Sequence, residues 1–197
     1  MRILAATTNA HKLKEFRSIL EAHGITCMSP GGIGGIPEVP EDGDTFEANA
    51  LTKATVVARE TGHPVFADDS GLEVFALNGE PGVRSARYAG PNATDAERIN
   101  KLLRRLRDDD DRSARFVCVI AVASPSGPVG TKAGEIRGTI AHGARGLNGF
   151  GYDPVFIPTG YMQTFGELPA EVKNGLSHRA TALQNAVAAG LFQRLCR

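Results

Sequence analysis

Charge of one sign is what this sequence lacks first: 22 lysines and arginines balance 22 aspartates and glutamates over 197 residues. That removes the broad basic field by which proteins gather nucleic acid, so none is expected as a partner, and an anionic ligand has to be met in a local pocket. Long apolar runs are also missing. None approaches the ~18 residues of a membrane span, and no membrane association is expected. MRILAATTNA, at the N-terminus, carries one charge and a short apolar run, which reads as a first buried strand and not as a signal peptide. The cysteines Cys27, Cys118 and Cys196 are odd in number and far apart. They have neither metal-ligand spacing nor a disulfide pattern, so reduced thiols in the cytoplasm are expected. No G-x-x-x-x-G-K-[ST] loop occurs, which excludes a P-loop protein. There is no internal repeat and no linker, and the length suits one domain, residues 1–197, as a single body or as two lobes sharing a sheet.

What is present alternates between strand and helix signals. Arg2 to Ala6 predicts a buried strand. Leu13, Phe16, Ile19 and Leu20 recur at helical spacing until Gly24. Ile25 to Met28 predicts a second strand, followed by a Gly/Pro-rich loop. A helix is predicted to open near Asp44-Thr45 and to run to Gly62, and Pro64 to Ala67 to form a strand that delivers Asp68-Asp69-Ser70-Gly71. Thr94 caps a predicted helix through Ile99, Leu102, Leu103 and Leu106. Arg115 to Ala123 and Val129 to Ile140 predict a hairpin turning at Pro125-Ser126-Gly127. Tyr152 to Ile157 predicts a strand. Ser177 caps a final helix with the stripe Ala180, Leu183, Val187, Leu191 and Leu195. The fold class is α/β, a mixed sheet with flanking helices.

Four segments carry chemistry. Thr7, Thr8, Asn9, Ala10, His11 and Lys12 lie where a strand meets a helix N-terminus, a place that favours anions. Lys12 and Lys14 there oppose the helix dipole, a local conflict expected at a functional site. An ordinary capped helix with solvated lysines reads equally well. Asp68 and Asp69 end a short apolar run. Two adjacent carboxylates repel unless a cation or donors offset them, and oxygen ligands of this kind suit Mg²⁺. Adjacent strand residues face opposite sides, so only one can project squarely into a given cleft. In isolation, a turn or helix cap is the favoured reading of this segment. Gly149-Phe150-Gly151-Tyr152-Asp153 joins close backbone approach to aromatic faces that can stack on a base, with a turn plus core aromatics as the alternative. Lys173, Ser177, His178 and Arg179 repeat the pattern of cations at a helix start, with arginine offering forked donors. Two cationic helix starts, paired carboxylates and a Gly-aromatic loop together point to one phosphorylated, base-bearing, metal-bound ligand.

ATTNAHKLKE, TFEANALTKA, FADDSGLEV running on to GEPGVRSARYAG, then GFGYDPVF and EVKNGLSHRATAL occur in order over nearly the whole chain. In this the sequence resembles the non-standard purine nucleoside triphosphate pyrophosphatases, the dITP/XTP (inosine triphosphate) pyrophosphatase family. The resemblance implies an elongated two-lobed fold around a central cleft, a homodimer, Mg²⁺ as cofactor, and hydrolysis of ITP, dITP or XTP to the monophosphate and pyrophosphate. It implies that Thr7 to Lys12 and Lys53 hold the triphosphate, and that Glu41 and Asp69 serve the metal. Asp69 also accepts the proton of the attacking water, with Asp68 supporting. Ser70 contacts substrate, and Phe150, Gly151, Tyr152, Asp153, Lys173, His178 and Arg179 surround the base and its neighbouring groups. Ala48 departs from the pattern, standing where many relatives carry a second glutamate before Asn49.

Overall fold

The computed structural model of the protein describes residues 1–196, without the side chain of Cys196; the expectation for that thiol lies outside the described residues. The strands are β1 (Arg2–Ala5), β2 (Thr26–Met28), β3 (Val65–Val74), β4 (Ser113–Ser124), β5 (Gly127–Ile140) and β6 (Phe156–Pro158). They form one mixed sheet in the order β2-β1-β3-β4-β5-β6. β1 pairs in parallel with β2 and with β3, while β5 and β6 are antiparallel. Parallel neighbours need crossover connections. Helix α1 (Ala10–Glu21) supplies the one between β1 and β2, and α2 (Phe46–Thr61) precedes β3. Three further helices are α3 (Asp95–Arg105), α4 (Ala170–Leu176) and α5 (His178–Ala188).

The chain condenses into two compact units. Unit 1 holds Met1–Asp69, Cys118–Gly134 and the segment from Arg179 onward; unit 2 holds Ser70–Val117 and Glu135–His178. Each has its own apolar core. In unit 1, Ile3 and Ala5 of β1, Phe16, Ile19 and Leu20 of α1, Phe66 of β3 and Cys118, Ile120 and Val122 of β4 pack with Ala182, Leu183, Ala186 and Phe192. Burial of Ile3, Leu4 and Ala5 on both faces of β1 matches their continuous apolar run after the exposed Arg2. In unit 2, Leu72 and Val74 join Leu102, Leu106, Phe116, Tyr152, Phe156 and Phe165.

Helix starts follow the sequence signals closely. Asn9 caps α1 through His11 and Lys12, and Thr45 caps α2. Thr94 and Glu97 form a reciprocal capping box on α3. α2 ends at Gly62 in the left-handed conformation that glycine tolerates. Three expectations are corrected. β3 does not stop before Asp68-Asp69 but runs through them to Val74, because Leu72 and Val74 bury into the unit 2 core. The strand expected over 152–157 is reduced to Phe156–Pro158, since Pro154, with fixed φ and no N–H, draws Asp153–Val155 into a 3₁₀ turn. The last helix ends at Ala188; Gly190 turns the chain at φ +68°, yet Leu191 still reaches the unit 1 core.

Candidate active site

The site in unit 1 is built on β3. Asp68 and Asp69 are consecutive residues inside a strand, so their side chains leave on opposite faces and enter different surroundings. Asp68 is buried and receives cations: Lys12 Nζ lies 2.9 Å from its Oδ2, and Arg179 Nε 3.7 Å from the same oxygen. Burial alone would raise the Asp68 carboxyl. Lys12, Arg179 and Lys53 outweigh that and hold it well below the usual carboxylate range. Asp69, also buried, receives a neutral donor instead, Asn49 Nδ2 at 2.8 Å. Burial, with the charge of Glu41 added, outweighs the Asn49 hydrogen bond, Lys12 and Lys53, and pushes Asp69 up to about 6. Two identical neighbours are thereby separated into a permanent anion and a carboxylate that titrates near neutrality.

The supporting residues are tied to the backbone around this pair. Lys53, from α2, forms an ion pair with Glu41 and donates to the Asp68 carbonyl at 3.2 Å. Burial disfavours its charge, but Asp68, Glu41 and Asp69 prevail and its pKa is raised. Asn49 is fixed through its own Oδ1, which accepts from Gly43 N at 2.8 Å, so the acidic loop before α2 orients the group that orients Asp69. Arg179 is fully buried, with Nη1 donating to Glu15 at 2.5 Å. At the start of α1, Asn9 Oδ1 accepts from His11 N and Lys12 N at 2.9 and 3.1 Å. The cap thus takes up two amides that a helix start offers to an anion, and the attraction of this element rests on its dipole and on the side chains of Thr8 and Lys12. Thr7 Oγ1 accepts from Asn9 N, and Ala10 and His11 are exposed.

Unit 2 holds its own cluster. Asp153 Oδ2 accepts from Phe150 N at 2.8 Å and from Lys173 Nζ at 2.6 Å. The Lys173 ammonium lies 4.8 Å from the Phe150 ring centroid, a cation–π contact. His178 stacks on Phe116 with centroids 4.7 Å apart. Tyr152 is buried and its hydroxyl donates to Ser85 O at 3.0 Å, so it serves the core and anchors the loop. Ser70, half-buried, follows the aspartates on β3. Gly149 has φ +76°, and a Cβ there would stand 2.0 Å from Asp153 Oδ2. Gly149→Ala is therefore expected to cost about 1–3 kcal/mol of stability, read as a lower urea midpoint, and to displace Asp153 from Lys173.

Sequence reasoning missed Asn49 and Glu15. Asn49 carried a signal: a buried asparagine inside a helix is a poor helix former and needs a partner for its amide. Glu15 carried none, since an acid on an exposed helix face is ordinary.

These features describe a mixed α/β protein with a buried pair of aspartates flanked by lysines. The chain belongs to the Ham1 family, whose match spans residues 3–189. It is 52% identical over 181 residues to the dITP/XTP pyrophosphatase of Desulfotalea psychrophila, covering 92% of this chain and 81% of that protein. It is 49% identical over 184 residues to the dITP/XTP pyrophosphatase of Geobacter sulfurreducens, covering 92% of each. Among solved structures, a HAM1 protein from Coxiella burnetii superposes with a TM-score of 0.86 at 43% identity, over 98% of this chain and 99% of that one. The nucleoside-triphosphatase / dITP/XTP pyrophosphatase of Mycobacterium abscessus gives 0.75 at 43% identity, over 94% and 97%.

Proposed function

We propose that this protein hydrolyses the non-standard purine nucleoside triphosphates ITP, dITP and XTP to the monophosphate and pyrophosphate, cleansing the nucleotide pool. Family membership and the names of the relatives support the reaction. One observation carries the mechanism: the two adjacent aspartates are driven to opposite sides of the ordinary carboxyl range.

Asp69 is the general base. A carboxyl near 6 is ionised at neutral pH yet basic enough to take a proton in the transition state. Water attacks the α-phosphorus in line with the bridging oxygen of the leaving group. The new P–O bond forms as the bond to pyrophosphate breaks, pyrophosphate leaves with the electron pair, and the water proton passes to Asp69. Asp68 stays ionised and holds Lys12 in place. Lys12 and Lys53 offset the charge of the triphosphate, with Thr7 to His11 at its edge. Ser70 contacts substrate.

Among the described residues no group of three or more His, Cys, Asp or Glu is arranged to hold a metal. Asp69 and Glu41 still suit Mg²⁺, which takes one or two carboxylates and completes its shell with phosphate oxygens and water. Glu41 raises the Asp69 pKa, a like-charge repulsion that a divalent cation would relieve. Bound there, Mg²⁺ supplies charge neutralisation and acidifies water.

In unit 2, Phe150 offers a ring face and Lys173 and Asp153 fixed polar groups, chemistry suited to a purine. His178 is the donor we assign to the 6-oxo group. Adenine presents a donor at that position, and a donor facing a donor in a buried site discriminates strongly. Two buried reduced thiols, Cys27 and Cys118, suit the cytoplasm. No helix among the described residues is long and apolar enough to cross a membrane. A homodimer is proposed too, with exposed Leu147 and Met162 as apolar side chains an interface would cover; sedimentation of the purified protein tests it.

The reaction is tested by incubating the protein with Mg²⁺ and ITP, dITP, XTP, GTP, ATP or dUTP, and measuring pyrophosphate and orthophosphate separately. Pyrophosphate from the first three is expected. Orthophosphate as the primary product, or no turnover with any nucleotide, overturns the reading.

A further inference from the structure

The loop Gly149–Asp153 is held from outside by α3. Asp95 lies in the first turn of that helix, beside the Thr94–Glu97 capping box that closes its start. Yet its Oδ2 accepts from Gly151 N at 2.6 Å, across 56 residues of sequence. Its Oδ1 is engaged by Arg98, which also donates to the Ala86 carbonyl. The next loop residue, Tyr152, donates to Ser85 O. Gly151 and Tyr152 are therefore fastened to one short stretch of the structure, directly at Ser85 and through the Asp95–Arg98 pair at Ala86.

The consequence falls on the residues either side. Gly151 has φ +62° and Gly149 φ +76°, so the loop's path depends on two glycines that impose little restraint of their own. Between them lies Phe150, whose N–H meets Asp153 and whose ring lies under Lys173. A charge-assisted hydrogen bond to the Gly151 amide fixes the peptide plane that follows Phe150, and so the ring and the carboxylate together.

We propose that Asp95 is a positioning residue for nucleobase recognition: by holding the Gly151 amide it sets the placement of Phe150 and Asp153, and thereby the preference for one purine over another. The inference rests on the reading that Phe150 and Asp153 meet the base. It concerns selectivity and leaves the phosphate chemistry untouched.

The test compares steady-state pyrophosphate release from ITP and ATP in the parent protein and in Asp95→Ala, Asp95→Ser, Asp95→Asn, Arg98→Met and Phe150→Ala. In Asp95→Ala the KM for ITP is expected to rise about tenfold with kcat within about threefold, the scale of one lost hydrogen bond to a charged group. The preference for ITP over ATP in kcat/KM shrinks by a similar factor. Asp95→Ser, too short to reach Gly151, is expected to behave alike and keeps the test independent of the alanine variant's folding. Asp95→Asn, which retains an acceptor oxygen, is expected to stay near the parent. Arg98→Met is expected to lower Tm and to shift the preference less than Asp95→Ala does, because Asp95 keeps its own hydrogen bond to Gly151. Adding Asp95→Ala to Phe150→Ala is expected to cost little more than Phe150→Ala alone, because both act through one group. If the Asp95 variants lower Tm while KM and the ITP preference hold, Asp95 is structural and the inference fails. Should Phe150→Ala leave KM and preference unchanged, the base-contact reading fails and takes the inference with it.

Discussion

Asp69→Asn is expected to lower kcat for ITP by roughly 10²–10⁴-fold, the range for removal of a general base, with much less change in nucleotide affinity. The substitution keeps shape, and an amide oxygen can still accept from Asn49. Pyrophosphate release gives kcat, and calorimetric titration with a non-hydrolysable ITP analogue gives affinity. An Asp69→Asn protein that turns over at the parent rate removes Asp69 as the base. In the parent, kcat/KM is expected to fall about tenfold per pH unit below about pH 6, where the free enzyme's base becomes protonated. The same residue carries a stability consequence of opposite sign. Its folded pKa is raised, so its contribution to folding is complete below the unfolded value near 3.8 and is lost as pH rises through about 6. At pH 8 the folded state therefore bears a buried anion at a disadvantage, and Asp69→Asn is expected to raise stability there by about 1–3 kcal/mol while removing turnover. A higher Tm at pH 8 that disappears at pH 4 is the signature.

Arg179→Met is expected to destabilise by about 3–5 kcal/mol, because it removes the buried cation that pairs with Glu15 and leaves Asp68 with Lys12 in place of two cations. Arg179 is fully buried, Glu15 lies 2.5 Å from its Nη1, and Asp68 is 3.7 Å from its Nε. For a chain of this size that corresponds to a Tm lower by roughly 6–20 °C. The loss should grow less toward acid pH. Asp68 has a depressed pKa, so its stabilisation is present above the unfolded value near 3.8 and declines as pH falls through and below it. Without Arg179 that acid-side decline is shallower. Glu15→Gln added to Arg179→Met should recover part of the stability by removing one uncompensated charge. An Arg179→Met protein with parental Tm would mean that the guanidinium is not what neutralises Asp68.

Much of the scaffold was legible from residue pattern. Thr45, Gly62 and the Thr94–Glu97 pair mark helix ends by local hydrogen bonding alone, and the sequence carries such signals openly. β3 was not legible beyond Ala67, because a strand entering a second core looks like a turn when its polar residues come in the middle. The end of α5 was misread because Leu191 keeps helical spacing although Gly190 has already turned the chain. That Asp68 and Asp69 leave on opposite faces was legible from strand alternation, but what each meets there was not. Lys12, Arg179 and Lys53 outweigh the burial of Asp68, whereas around Asp69 burial and Glu41 outweigh Asn49 and the lysines, and no local rule encodes those surroundings. Asp95 was silent for a related reason: an acid in the first turn of a helix is already explained by the dipole, so nothing pointed to Gly151.

Unit 1 is discontinuous, assembled from three stretches of chain, and this bears on how the protein is made. Synthesis proceeds from the N-terminus and domains fold as units. Glu15 and Arg179 are separated by 164 residues, and the Phe192 ring of the unit 1 core is translated later still. A nascent chain that has already emerged through β3 carries Asp68 without its guanidinium and a hydrophobic core without its last helix. The arginine's share of the charge that keeps Asp68 ionised arrives only when translation is nearly complete, whereas Lys12, Asn49 and Lys53 precede both aspartates in the chain. Truncated products of an interrupted ribosome therefore hold both aspartates with Lys12 and Lys53 but lack Arg179 and the last part of the unit 1 core.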